Sequence, residues 1–80
     1  MTIETAIRSH DYDRAIEYFK AAVIVITEQL KTNKSMDRET LRAMYREPWS
    51  RLKELSAELA RVRPEFTQSK NYQFVQAHKL

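Results

Sequence analysis

Three consecutive residues, Ser9, His10 and Asp11, supply the side-chain types of a nucleophile, a base and an orienting acid. A catalytic relay needs such groups to converge from separate parts of a fold. Neighbours along a helix point about 100° apart and cannot form one. No catalytic residue is therefore expected. His10, Asp13 and Glu17 fall at i, i+3 and i+7, where one helical face would carry three potential metal ligands. A divalent ion would need at least one more ligand, and His78 is the sole other imidazole. This reads as an exposed charged face, with no metal and no cofactor. Glu54 and Glu58 lie among other charges, with nothing to raise a carboxyl towards the range that acid–base catalysis uses. With no glycine in the chain, every glycine-rich phosphate-binding fingerprint is excluded. With no cysteine, disulfides, thiol chemistry and the usual structural zinc sites are excluded too.

A stronger pattern is basic. Lys34, Arg38, Arg42 and Arg46 recur every four residues and would form a stripe along one helix, with Trp49 and Lys53 beside it if the helix continues through Pro48. Arginine and tryptophan are the residues most enriched in binding hot spots, so the stripe reads first as a contact for a protein partner. Phosphates gripped by the cations and a base stacked on the indole are the alternative, a nucleic-acid-binding dimer. The competing structural reading is a solvated face with Trp49 folded against the core, and Asp37, Glu39 and Glu47 dilute the positive field.

A second pattern is apolar. Tyr12, Ala15, Ile16, Phe19, Ala22, Val23, Ile26 and Leu30 follow the spacing of one helical face. Ala21, Ile24 and Val25 lie off that face and are equally apolar, so the helix wants partners on two sides. Self-association through Ala21, Ile24 and Val25 would bury the surplus, at about 25 cal/mol per Å² of apolar area. Alternatively, the tail aromatics fold back over it. A homo-oligomer, most simply a dimer, is the expectation.

These patterns need elements to hold them. The chain has 80 residues and a net charge of +3, which fits a single helical domain over residues 1–80. Five acids against three bases give residues 1–30 a charge of −2, whereas eleven bases against six acids give residues 31–80 a charge of +5. The spacing predicts a short upstream piece, Thr2 to Arg8, that continues the next helix backwards or turns at Ser9-His10. It predicts a helix over about 11–31 and a break in which Asn33 adopts the left-handed conformation in glycine's place. A second helix follows over about 37–62, kinked at Pro48. Its seam (Leu41, Tyr45, Pro48, Leu52, Leu55, Leu59 and Val62) alternates steps of four and three, and Glu47 pairs with Arg51 to hold the turn around the proline. Residues 64–80 form a short helix or stay partly disordered. The architecture is an all-α antiparallel hairpin with a kinked second arm, completed to a small bundle by the C-terminal helix or by dimerisation.

Asp11-Tyr12-Asp13-Arg14-Ala15-Ile16-Glu17-Tyr18-Phe19-Lys20-Ala21-Ala22 resembles the second helix of a tetratricopeptide repeat. The likeness covers about a dozen residues, and no second copy occurs at the repeat's spacing of about 34. No role is transferred from it. The longest apolar run, Ala21 to Ile26, is far shorter than the roughly 20 residues that cross a bilayer. Met1-Thr2-Ile3-Glu4 lacks the basic start and apolar core of a secretory signal. The expectation is a cytoplasmic, non-enzymatic binding module such as an inhibitor, adaptor or assembly factor.

Overall fold

The computed structural model describes residues 2–80. The Thr2 hydroxyl accepts the Thr5 N–H at 3.1 Å and starts α1 (Ile3–Arg8). That helix stops in a turn whose Asp11 N–H donates to the Ala6 carbonyl and whose His10 N–H donates to Ile7. This pairing requires the residue between helix and cap to be left-handed, and His10 is so, at φ 61°. The Ser9-His10 joint is thus a true reversal. His10 also lies outside the following helix, so it shares no helical face with Asp13 and Glu17, and the i, i+3, i+7 ligand face does not exist. Among the described residues, no three His, Cys, Asp or Glu side chains are grouped to hold a metal ion.

Asp11 accepts the Arg14 N–H at 3.4 Å and starts α2 (Tyr12–Thr32). Ala15, Phe19, Val23 and Ile26, every third or fourth residue, are its buried stripe. The helix ends at Asn33, which is extended at φ −74°, ψ 115°, and not left-handed as expected. The asparagine uses its side chain instead: Oδ1 accepts the Ser35 N–H at 3.0 Å, and Nδ2 donates to Gln29 Oε1 at 3.3 Å. That local turn fixes the backbone without a positive φ.

Asp37 caps α3 (Arg38–Val62), accepting the Thr40 N–H at 3.3 Å. Helix α3 runs unbroken through Pro48, and its antiparallel pairing with α2 is pinned at both ends. Arg38 donates to the Leu30 carbonyl at one end, and Arg63 meets Asp13 at 3.9 Å at the other. The seam differs from the expected one at two positions. Leu41, Leu52, Leu55 and Leu59 are buried and Tyr45 half-buried, as expected, but Pro48 is exposed with Trp49 buried in its place, and Val62 is 44% exposed. Ser56 is buried beside Leu55, so the buried face is wider than a strict seam. Glu47 does not hold Arg51. The Arg51 guanidinium bridges Glu4 of α1 and Glu54 of α3, each at 2.8 Å.

After a 3₁₀ turn over Pro64–Gln68, α4 (Lys70–Ala77) returns along α3. Its polar contacts climb α3 in antiparallel order. Gln76 Nε2 donates to the buried Ser56 hydroxyl at 2.8 Å, Trp49 Nε1 to the His78 carbonyl at 3.1 Å, and Arg46 Nε to the Leu80 carbonyl at 3.1 Å. Phe66 closes the core edge-on against Phe19, with centroids 5.3 Å apart, and Val75 is fully buried. The fold is therefore an all-α bundle completed within the chain by its own C-terminal helix. It remains elongated, with extents of 39 × 25 × 17 Å. Its accessible surface of 5536 Å² exceeds the roughly 5,000 Å² expected of a compact chain of this size. No helix among the described residues is long and apolar enough to cross a membrane.

Candidate functional site

The structure leaves residues of both sequence patterns exposed, and it places the two patterns side by side. On α2, Ile24 is 56% and Val25 59% exposed, and Ala21 is exposed as well. The C-terminal helix does not cover them; it stands beside them. Between the second half of α2 and α4 lies a groove of about 530 Å³, floored by Val23 and Thr27 and walled by Ile24, Leu30 and Phe74. Lys31, Arg38 and Lys70 stand at its rim. Of the three residues assigned to self-association, Ile24 enters this groove, while Ala21 and Val25 face outward on α2.

The groove continues along α3. A second depression shares Thr27, Leu30, Arg38 and Phe74 with it and adds Arg42, His78 and Lys79. A third, between α3 and the last residues, brings in Arg46, Ser50 and Lys53. No aspartate or glutamate side chain lines any of the three. From Arg38 to Lys53 the band follows about 22 Å of helix.

Of the predicted stripe, Arg38, Arg42, Arg46 and Lys53 face this band. Lys34 does not: it sits in the loop before α3 begins, outside the helical register. Trp49 is 2% exposed, and its indole N–H is taken by the His78 carbonyl, so the ring packs the core and is not presented for stacking. It sits edge-on to Phe74 at 5.9 Å, which in turn stacks on His78 at 3.9 Å. Trp49 thus supports the groove from beneath.

Most cations of the band have no acidic side chain beside them. Among the described residues, none of Lys31, Arg38, Arg42, Lys53, Lys70 or Lys79 lies within ion-pair distance of an aspartate or glutamate. Arg38 instead caps the carbonyl end of α2, and Arg46 holds a main-chain oxygen of Leu80. On the other flank, Glu4, Arg8, Arg51 and Glu58 line a separate, mixed-charge depression. There the hydrogen bond from Arg51, reinforced by its charge, holds the Glu4 carboxyl below the usual carboxylate range, and Glu4 raises Arg51 in return.

Sequence reasoning missed Lys31, Lys70 and Lys79 as members of the site. No periodicity links the end of α2 or the two ends of the C-terminal segment to the stripe on α3, and only the tertiary fold brings them together. Compared with models of known protein families, with curated proteins and with solved structures, the chain matches none.

Proposed function

We infer that this protein is a small non-enzymatic binding module whose partner is another protein, engaged through the cationic band on α3 and the groove beside it. One observation supports this reading above the others: a row of unpaired cations runs directly into an exposed apolar groove. An interface that joins an apolar centre to charged, orientable neighbours is the usual anatomy of protein recognition. The nucleic-acid alternative draws on the same cations and on a pI near 9.4, but it has lost the Trp49 ring as a stacking platform. Self-association through Ala21, Ile24 and Val25 belongs to the same reading as a second use of α2. A cysteine-free chain suits a reducing compartment such as the cytoplasm.

The test is affinity capture from the native cell's lysate, with and without nuclease, using the wild-type chain and an Arg42→Glu/Lys53→Glu variant. A defined protein that survives nuclease and is lost by the variant is the expected result. Retention by the variant removes the stripe from the interface. Loss of every protein on nuclease treatment transfers the band to nucleic acid.

A further inference from the structure

We propose that the occupant of the groove between α2 and α4 is an acidic amphipathic helix of a partner protein, its apolar side chains seated on Ile24, Leu30 and Phe74 and its carboxylates turned to Lys31, Arg38 and Lys70. This rests on the protein-binding reading above and names the chemistry of the partner.

Shape argues first. The walls are two helices, α2 and α4, and a groove between helices receives a third by its i, i+3, i+4 and i+7 side chains. Exposed apolar surface supplies the anchor: Ile24 is 56% and Phe74 38% exposed, while Val23 and Leu30 extend the same surface inward. Charge then selects the occupant. Three cations stand around the apolar centre and four more follow towards Lys53, with no aspartate or glutamate side chain lining the path. A basic or neutral helix would leave that positive field unmatched, whereas glutamates flanking an apolar stripe would meet it on both sides.

Two other occupants fit less well. A second copy of this chain would present α2, whose exposed apolar residues outside the groove are Ala21 and Val25. Two side chains are little against the roughly 800 Å² per partner that a stable interface buries. Nucleic acid would satisfy the cations and leave Val23, Ile24 and Leu30 uncovered.

A displayed library of random 16-residue peptides, selected on the full chain and counter-selected on Ile24→Glu, tests the proposal. Ile24 is a surface position on a long helix, so the variant keeps the fold, as its helical circular dichroism will verify. The expected winners carry leucine, isoleucine, methionine or phenylalanine at helical spacing with an excess of aspartate and glutamate. They should bind Ile24→Glu about tenfold or more weakly, and Lys31→Glu/Lys70→Glu more weakly again in low salt. Winners with no acidic excess, winners bound equally by Ile24→Glu, or no enrichment would each overturn the proposal. So would duplex DNA or phosphatidylserine vesicles that displace the winners in 150 mM salt. If the peptides fail while a nuclease-resistant partner is still captured and lost by Arg42→Glu/Lys53→Glu, the protein-binding reading stands and only the acidic-helix occupant falls.

Discussion

The two flanks of α3 treat their arginines in opposite ways. On one flank, Arg51 is clamped between Glu4 and Glu54 at 2.8 Å each, and its charge is matched inside the fold. On the other, Arg38 is held by the Leu30 carbonyl, which orients a guanidinium without cancelling it. An arginine bound to a carboxylate has become part of the scaffold. One bound to a carbonyl stays fully charged and pointed, ready for a ligand. The same residue type on one helix thus serves cohesion on one side and leaves recognition open on the other.

The largest expected effect undermines or upholds the claim that Trp49 belongs to the scaffold beneath the charged flank. Trp49→Ala should cost about 3–5 kcal/mol of stability, as buried aromatic truncations do. A urea titration followed by circular dichroism measures it, and a cost below about 1 kcal/mol would return the indole to the surface. Next comes the joint that carries Glu4 to Arg51. His10 holds a left-handed conformation that costs a non-glycine residue about 1 kcal/mol, so His10→Gly should raise stability by about that amount. A lower denaturation midpoint would mean that the imidazole contributes a contact, such as its edge-on approach to Tyr12 at 5.8 Å, worth more than the strain.

Smaller effects separate the flanks directly. Arg42→Glu places an acid four residues from both Arg38 and Arg46 on the unmatched flank, and should stabilise by a few tenths of a kcal/mol. Arg51→Glu, on the matched flank, should destabilise. Similar signs in paired thermal melts would erase the distinction. The smallest effect is acid dependence. Because Arg51 lowers the Glu4 carboxyl below its unfolded value, the stabilisation from this pair is complete above the ordinary carboxylate range. It fades as pH falls through the lower folded value. Glu4→Gln should therefore narrow its stability gap to wild type as the pH is lowered through that window, and a constant gap would show that the pair contributes nothing.

Much of this fold is legible in the residues, and the exceptions share a cause. The stripe Ala15, Phe19, Val23 and Ile26 is local and periodic and is legible from spacing alone; the cap of α3 is less so, since Ser35 and Asp37 are both suitable residue types and the structure uses Asp37. Most of the α3 seam is as local as that stripe, but steps of three or four from Tyr45 reach both Pro48 and Trp49, and only the return of the C-terminal segment, whose His78 carbonyl takes the indole N–H, selects the tryptophan. Local spacing also suggested Glu47 for Arg51. The winning partner, Glu4, lies 47 residues away, and only the packing of α1 on α3 reveals it. Residue type points to Asn33 for the left-handed position, whereas the tight α1–α2 reversal imposes it on His10. The site was half legible: Arg38, Arg42, Arg46, Lys53 and Ile24 carried a pattern, while Lys31, Lys70, Lys79 and Phe74 join only through the return of the C-terminal helix.

One wall of the groove is Phe74, which belongs to α4, an eight-residue helix held to α3 by the hydrogen bonds of Gln76 to Ser56 and to the Lys53 carbonyl, by that of Trp49 to His78 just beyond it, and by the burial of Val75. A helix that short is marginal by itself. The groove is therefore present only in the fraction of molecules whose last segment is docked, and any occupant selects that fraction. Linkage makes the effect reciprocal: filling the groove slows amide hydrogen exchange across residues 70–77, and loosening that segment lowers apparent affinity without touching a contact residue.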